Sequence, residues 1–332
     1  MYIRPEQILE QYEVEVKAIS KGRDCFLCET DSGMMALKVY RGSEERAAFL
    51  EGMLEFLEKK GILAEKIQKT KEEKILAEDE EEQKYILETA FRGAECDTKS
   101  AADMLHAVRL LARLHIVSRE YEEEVPGFIK TDGKTLIHLY EKHNRELKMV
   151  RNYIKSKKKK SQFEEIFSRE YDSFRQKAIA VTDILKELEP DEKMFGFCHG
   201  DFNQHNLIFT KEGTALINFE NYGWQMQTVD LANYMRKMLE KNNWSIDLGF
   251  KLLWTYEEEK RLSAEERKYL YCYLAYPEKF WKIANRYSQC HKAWLSERNM
   301  EKLQKVIMQE KAREQFLCAL SQILLENAVK QG

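Results

Sequence analysis

The part of the sequence that decides the fold reads His199-Gly200-Asp201-Phe202-Asn203-Gln204-His205-Asn206-Leu207-Ile208-Phe209. Within it, Asp201 stands five residues before Asn206, and an apolar run follows. Two short apolar runs, residues 207–209 and 215–217, flank a turn at residues 211–213. This pattern predicts a β-hairpin inside a region that otherwise has helical periodicity. We expect the loop before the hairpin to direct Asp201 and Asn206 into one cleft.

The spacing of Asp201 and Asn206 matches the catalytic loop H-x-D-x-x-x-x-N of kinases. In that loop the aspartate accepts or orients the proton of the attacking hydroxyl, and the asparagine amide oxygen reaches a magnesium ion on the nucleotide phosphates. With Gly200 in place of arginine, the string resembles the loop of aminoglycoside and choline kinase-like phosphotransferases. We expect His199 to be a structural histidine that bonds the backbone near this loop. A hydrolase metal cluster of His199, Asp201 and His205 is disfavoured, because their spacing fits no helix face.

The segments after the hairpin extend this resemblance. Ile217-Asn218-Phe219-Glu220 lies where the phosphotransferase family has its metal-binding I-D-x-[DE] motif, so Asn218 replaces an aspartate. An amide oxygen is a weaker magnesium ligand than a carboxylate. In an extended segment Glu220 lies on the same side as Asn218, and it is the candidate to replace the missing carboxylate. Asp230, in Val229-Asp230-Leu231-Ala232, resembles the D-L-A aspartate that braces the catalytic loop.

The first hundred residues predict a small sheet with one helix, because alternating segments are separated by short turns. Lys38 lies on the predicted third strand, where kinase-like folds carry the lysine that grips the nucleotide phosphates. Its expected helix partner is Glu45, with Glu51 as the competitor that spacing does not exclude. The strand from Tyr85 leads into the expected adenine-binding hinge, and its candidate nucleotide-binding residues are Glu88, Thr89 and Ala90.

A second resemblance involves the C-terminal half and the segment around the lysine run at residues 155–160. The segments at residues 276–287 and 292–294 are similar to the signature of CotS-type spore coat proteins. The segment at residues 153–164 is similar to it as well. This resemblance covers nearly the whole chain. It implies a kinase-like protein of an endospore-forming bacterium, made in the cytoplasm of the mother cell and associated with the coat. It also implies spore coat proteins as partners, and it leaves the reaction open.

Composition excludes several other classes of protein. The chain has 332 residues and a formal net charge of -3, which gives no indication of nucleic-acid binding. No long apolar run predicts a membrane span, and the first six residues show no secretion signal. The 7 cysteines, Cys25 and Cys28 included, predict free thiols rather than a disulfide framework or zinc site. The lysine run predicts a solvated loop, with a docking patch for an acidic partner as the alternative.

These observations predict a two-lobed α+β fold of the protein-kinase-like type. Residues 1–92 form the sheet lobe, and residues 93–332 form the helical lobe, with the catalytic loop at 198–220 and substrate-side helices at 229–330. Two functions stay open. The first is an ATP- and Mg²⁺-dependent phosphotransferase for an unknown small molecule, with Asp201 as base and Asn206, Asn218 and Glu220 as metal ligands. The second is a non-catalytic coat component that uses the same fold as a binding module.

Overall fold

The computed structural model describes residues 4–121, 124–131, 134–289 and 297–329, with side chains up to Ile323. Its backbone divides into two compact units. One comprises residues 1–130 and 197–224, and the other comprises residues 131–196 and 225–332. Within the described ranges, we find no helix with the length and apolarity needed to cross a bilayer.

The first unit is built around an antiparallel sheet in the strand order β1-β2-β3-β6-β4, with β5 paired to β6. Its strands are β1 (Val16–Lys21), β2 (Phe26–Thr30), β3 (Gly33–Val39), β4 (Ile67–Gln68), β5 (Ala77–Glu78) and β6 (Lys84–Thr89). The predicted strands and their hairpin turns are therefore present. Helix α1 (Pro5–Leu9) packs with Leu37 and Tyr85 in one apolar cluster. Because side chains alternate along a strand, Lys38 points to the opposite face from Leu37.

Helix α2 (Glu44–Lys59) follows the third strand, as predicted. The side chain of Ser43 caps its N-terminus by accepting a hydrogen bond from the backbone of Arg46. Its buried face is apolar and consists of Ala47, Phe49, Leu50, Met53, Leu54 and Leu57. The spacing of these residues matches one face of a helix, which is why the sequence predicted it.

The predicted hairpin is also present, and it belongs to the first unit. Its strands β9 (Leu207–Phe209) and β10 (Thr214–Leu216) pair in a three-stranded sheet with β7 (Ala94–Glu95). Leu216 also exchanges backbone hydrogen bonds with Leu63 and Glu65, which precede β4. The division predicted at residue 92 therefore does not coincide with the division of the compact units. Helix α3 (Ala101–Val117) completes this unit, and strands β8 (Phe195–Cys198) and β11 (Gly223–Met226) cross the boundary.

The second unit is helical. Its helices are α4 (Thr135–Ser156), α5 (Gln162–Lys186), α6 (Thr228–Lys241), α7 (Ile246–Glu259), α8 (Ala264–Ala275), α9 (Glu278–Gln289) and α10 (Glu297–Val329). Helices α5 and α8 each begin with a capping box, formed by Ser161 with Glu164 and by Ser263 with Glu266. The sheet of the first unit and the helices of the second confirm the predicted α+β class.

The string at residues 276–287 packs helix α9 against α4 and α6. The rings of Tyr276 and Tyr140 stack with centroids 3.7 Å apart. The buried guanidinium of Arg236 forms an ion pair with Glu278. The indole of Trp281 donates a hydrogen bond to Glu146 on α4. The string therefore has a structural role in the second unit, whereas residues 292–294 lie outside the described residues.

The cysteines agree with the prediction of free thiols. None of the six that the structure describes forms a disulfide, and Cys28 is buried and Cys25 half-buried. The lysine run at residues 155–160 is mostly exposed between α4 and α5. Lys157 is the half-buried member, and it forms an ion pair with Glu164.

Candidate functional site

The loop before the hairpin brings Asp201 and Asn206 together. The amide nitrogen of Asn206 donates hydrogen bonds to the backbone oxygen of Asp201 at 2.9 Å and to its carboxylate Oδ2 at 3.3 Å. Asn203 also donates to the backbone oxygen of Asp201, at 2.8 Å, and its own Oδ1 accepts from the backbone of His205. These bonds fix the backbone of the loop at Asp201, and Asn206 also contacts its carboxylate, so the two residues lie together as the spacing predicted.

His199 supports this loop through hydrogen bonds of both its ring nitrogens. It is fully buried, and its Nδ1 accepts a hydrogen bond from the backbone of Asp201 at 3.3 Å. The other ring nitrogen, Nε2, donates to the backbone oxygen of Ile217 at 3.0 Å. His205 instead contacts Glu95 through Nδ1 and is partly exposed. The two histidines therefore have separate partners, and the geometry gives no support to a hydrolase metal cluster.

Gly200 explains why this loop lacks the arginine of H-R-D sequences. Its φ of +81° lies in the left-handed region, which side chains other than glycine rarely adopt. A Cβ atom at this position would lie 1.8 Å from the backbone oxygen of Asn221. The catalytic loop and the segment after the hairpin therefore touch through their backbones at Gly200.

Asn218 connects the loop to the sheet. Its Nδ2 donates a hydrogen bond to Oδ1 of Asn206 at 2.7 Å. Its Oδ1 accepts a hydrogen bond from Nζ of Lys38, also at 2.7 Å. A continuous chain of contacts thus runs from Lys38 through Asn218 and Asn206 to Asp201. These four predicted residues therefore lie together within one unit.

Lys38 has two further partners, both of them carboxylates. Its Nζ lies 2.5 Å from Oε2 of Glu88 and 3.4 Å from Oε2 of Glu65. The side chain of Lys38 is 7% exposed, and those of Glu65 and Glu88 are each 2% exposed. An ion cluster at this depth is screened little by water, so its charges interact strongly.

The expected pairing of Lys38 with Glu45 is wrong, and so is its alternative, Glu51. Glu45 is exposed, and its carboxylate contacts the helix cap at Ser43. Glu51 forms an ion pair with Lys69 at 3.3 Å. The reason is that the buried face of α2 is wholly apolar, so both glutamates lie toward the edge or outer side of that helix.

Glu65 is the functional residue that the sequence interpretation missed. Its two carboxylate oxygens accept hydrogen bonds from the backbone nitrogens of Asn218 at 2.9 Å and Phe219 at 3.0 Å. It therefore joins Lys38 to the segment that follows the hairpin. The sequence feature that could have indicated Glu65 is its position as a single acidic residue after the apolar run Ile62-Leu63-Ala64 and shortly before a strand.

A second contact ties α2 to the same segment. The guanidinium of Arg46 donates a hydrogen bond to the backbone oxygen of Tyr222 at 2.7 Å and lies 4.5 Å from the centroid of its ring. The phenol of Tyr222 donates to the backbone oxygen of Arg46 at 2.8 Å. Glu65 and this reciprocal pair together position residues 218–222 against the sheet and α2.

The segment after the hairpin is not extended, which corrects the geometry expected for Glu220. Asn218 adopts a left-handed conformation with φ 65° and ψ 56°, and residues 219–221 form a tight helical turn. The alternation that would place Glu220 beside Asn218 therefore does not apply, and Glu220 is exposed. Asp230 is fully buried in the first turn of α6 in the second unit. The roles of both residues stay predictions.

The hinge candidates Thr89 and Ala90 follow Glu88 at the end of β6. The hydroxyl of Thr89 accepts a hydrogen bond from the backbone of Lys66 at 2.8 Å. The backbone nitrogen of Ala90 donates to the oxygen of Met34, also at 2.8 Å. These groups are thus engaged in the sheet, and adenine binding at the hinge stays a prediction.

Burial and charge have opposite effects on the lysine cluster. Burial lowers the pKa of Lys38, but the charges of Glu65 and Glu88 outweigh it and hold the pKa above its usual range. Burial raises the pKa of Glu88, the charge of Glu65 adds to the increase, and Lys38 offsets only part of it, which leaves a pKa of about 8. Lys38 thus stays charged, whereas the ionised form of Glu88 is more costly than that of an exposed glutamate.

Comparisons with known proteins agree with the sequence resemblance. A family model described as "Spore coat putative kinase YutH" matches residues 5–320. Spore coat protein S of Bacillus subtilis (strain 168) is 24% identical over 329 residues, which cover 93% of this chain and 90% of that protein. The predicted similarity to CotS-type spore coat proteins is confirmed.

Solved structures share the fold. An aminoglycoside phosphotransferase from Alicyclobacillus acidocaldarius subsp. acidocaldarius DSM 446 has a TM-score of 0.84 at 18% identity, and the match covers 98% of each chain. Amicoumacin kinase hAmiN, in complex with AMP-PNP, Ca²⁺ and Ami, has a TM-score of 0.60 at 13% identity, over 94% of this chain and 92% of that one. The predicted two-lobed, kinase-like α+β fold is confirmed.

Proposed function

The chain belongs to the spore coat putative kinase YutH family, and from that premise we propose that it is a coat-associated phosphotransferase. Its reaction moves the terminal phosphoryl group of ATP to a hydroxyl or amine of a small molecule. The observation that carries the proposal is the chain of contacts from Lys38 through Asn218 and Asn206 to Asp201. It joins the residue types that phosphate binding, metal binding and proton acceptance each require.

Each of these residues has a defined task in the proposal. Lys38 binds the phosphates of the nucleotide through its ammonium group. Asp201 accepts the proton of the acceptor as the new bond to phosphorus forms and the bond to the departing diphosphate breaks. The hydrogen bond from Asn206 to its carboxylate, and the bond from Asn203 to its backbone, support this role, because a base must be held within reach of the proton that it removes.

The side-chain oxygens near Asp201 are suitable ligands for a hard divalent cation, but they bind it weakly. The side-chain oxygens of Asn206 and Asn218 are the ligand type that Mg²⁺ prefers, and both lie in the contact chain. Asn218 contributes no negative charge, and Glu220 is the nearby exposed carboxylate in the predicted set. When bound, Mg²⁺ neutralises charge on the transferring phosphoryl group. We infer that the metal is held more weakly than in phosphotransferases with aspartate at the position of Asn218.

A non-catalytic coat component is the second candidate. The observation that favours it is that the ammonium group of Lys38 is already bonded to two carboxylates and to Asn218. The relative named Spore coat protein S supports a location in the coat under either candidate. Coat proteins are then the expected partners, and the mother cell is the expected site of synthesis.

Nucleotide binding by the full-length protein distinguishes the two candidates. The phosphotransferase predicts that ATP with Mg²⁺ raises the melting temperature, that omitting Mg²⁺ reduces the effect, and that Lys38→Ala abolishes it. Asp201→Asn should retain the shift and lose ATP turnover, because the carboxylate acts on the acceptor. No shift at millimolar ATP in either the wild type or Asn218→Asp would rule out the phosphotransferase and leave the coat component.

A further inference from the structure

Lys38 contacts more carboxylates than a phosphate-binding lysine requires. One ammonium group faces the carboxylates of Glu65 and Glu88, and all three side chains are almost completely buried. One carboxylate suffices to orient a lysine toward a nucleotide. With a second carboxylate the cluster has a net negative charge. This charge repels phosphate groups, which are also negative.

The two glutamates differ in what else they hold. Both carboxylate oxygens of Glu65 accept hydrogen bonds from the backbone nitrogens of Asn218 and Phe219. Glu65 therefore has a structural task that does not depend on Lys38. Among the residues that the structure describes, the hydrogen-bond donor to the side chain of Glu88 is Lys38.

The strand register explains how Glu88 reaches Lys38. Lys38 on β3 lies directly opposite Ile86 on β6, and Glu88 stands two residues further along the same face. Directly opposite Glu88 is Ala36, whose small side chain leaves room for the carboxylate to turn toward Lys38. Diagonal neighbours of this kind are within reach of long side chains. The contact is thus built into the pairing of two central strands.

We propose that Glu88 restrains nucleotide binding by holding the ammonium group of Lys38, so that phosphates must displace its carboxylate. This inference rests on the proposed function, and it adds a residue that limits nucleotide affinity rather than contributing to it. The raised pKa of Glu88 agrees with it, because burial and the charge of Glu65 disfavour the charged form of this carboxylate. A carboxylate that is costly to keep ionised is one that a phosphate group can replace.

Affinity for ATP with Mg²⁺, measured by calorimetry on the full-length protein at about pH 9, where the carboxyl of Glu88 is ionised, tests the restraint. Glu88→Gln keeps the size of the side chain and removes its charge, and Glu88→Met is a second variant without hydrogen-bonding groups. Both should bind about ten- to hundredfold more tightly than the wild type, the range expected when a hydrogen bond to a charged group no longer competes. Adding Lys38→Ala to Glu88→Gln should abolish the gain.

Glu65→Gln is the matched control, since it also removes one buried carboxylate from Lys38. It should not tighten binding, because it disturbs the two backbone hydrogen bonds at Asn218 and Phe219. If it tightens binding as much as Glu88→Gln does, net charge alone matters and the restraint by Glu88 is wrong.

Two further outcomes separate this inference from the proposed function. If the wild type and Glu88→Gln bind equally well and Lys38→Ala binds less, the phosphotransferase stands and the restraint does not. If no variant binds ATP, including Asn218→Asp combined with Glu88→Gln, both are wrong.

Discussion

The ammonium group of Lys38 donates a hydrogen bond to the side-chain oxygen of Asn218, 180 residues further along the chain, at 2.7 Å. This contact joins the central strand of the sheet to the segment that follows the hairpin. Because Asn218 also bonds Asn206, the contact extends to the loop that contains Asp201. The properties of the whole site therefore depend on the residue at position 218.

Asn218→Asp should strengthen nucleotide binding in a magnesium-dependent way. The new carboxylate keeps an oxygen for Lys38 and supplies an anionic ligand, and its φ of 65° is one that aspartate tolerates. We expect about a tenfold gain in affinity for ATP with Mg²⁺, on the order of one charge-assisted interaction, and little gain without Mg²⁺. Titrations of ATP at several Mg²⁺ concentrations measure this. An equal gain with and without Mg²⁺ would contradict a metal role for this position.

The stability of the protein should depend on pH through Glu88. Burial and the charge of Glu65 raise the pKa of its carboxyl to about 8 in the folded state, from 4.5 in the unfolded chain. The folded state therefore binds more protons between these values, and this contribution to the free energy of unfolding falls as pH rises through that range. Relative to Glu88→Gln, the wild type should become less stable from about pH 5 to pH 8 in denaturant titrations.

The exposed Glu80 supplies the control for that experiment. Any change with pH that Glu80→Gln shares with Glu88→Gln arises elsewhere in the protein, because the carboxylates of the Lys38 cluster are those of Glu65 and Glu88. A constant difference for Glu88→Gln would mean that Glu88 is fully ionised in the folded protein.

Gly200→Ala should disrupt the catalytic loop. The added Cβ meets the backbone oxygen of Asn221 at 1.8 Å, and the φ of +81° is unfavourable for alanine. Gly213→Ala is the matched control, because its φ of +142° is also strained but the space around it is open. We expect the control to lose about 1–3 kcal/mol in the free energy of unfolding from backbone strain. Gly200→Ala should lose about 1–3 kcal/mol more because of the clash.

The measurement for this pair is urea unfolding, followed by ATP binding. Only the change at Gly200 should also weaken binding, since Gly213 lies in the turn of the hairpin. Equal losses of stability in both variants would show that the contact with Asn221 has no energetic importance.

Glu278→Gln should destabilise the helical unit. Burial alone raises the pKa of Glu278, but the charges of Arg236 and Lys282 outweigh it and lower the pKa to about 2. Removing the carboxylate leaves the buried guanidinium of Arg236 without its counter-charge, at a cost of about 3 kcal/mol. Lys282→Ala removes the exposed partner of the same carboxylate and should cost less than about 1 kcal/mol.

Denaturant unfolding at pH 7 and at pH 2 compares these variants. The contribution of Glu278 is present above pH 4.5 and is lost as pH falls through about 2, so Glu278→Gln should differ less from the wild type in acid. A larger loss for Lys282→Ala than for Glu278→Gln would contradict the importance of the buried pair.

The sequence predicted the elements whose signals are local. The apolar periodicity of residues 47–57 predicted α2, and the alternating strands with short turns predicted the sheet around Lys38. The five-residue spacing predicted that Asp201 and Asn206 would lie together. In each case the pattern lies within a short stretch of the chain, so the spacing of its residues contains the information.

The partners of Lys38 could not be predicted in this way. The pattern of a related fold predicted Glu45, with Glu51 as the alternative, whereas Lys38 bonds Glu65 and Glu88 in the folded chain. Glu65 is recognisable only through its bonds to the backbone of Asn218 and Phe219, and backbone nitrogens have no sequence signature.

The sequence by itself determined most of the helices and strands, the family and the phosphotransferase-like loop, because each depends on short-range patterns of residue types. Only the tertiary structure decided which carboxylates surround Lys38 and how Asn218 turns toward it. Those choices depend on strand register, on the small side chain of Ala36 and on a left-handed backbone at Asn218. Such features appear only when distant segments pack together and buried charges must find partners.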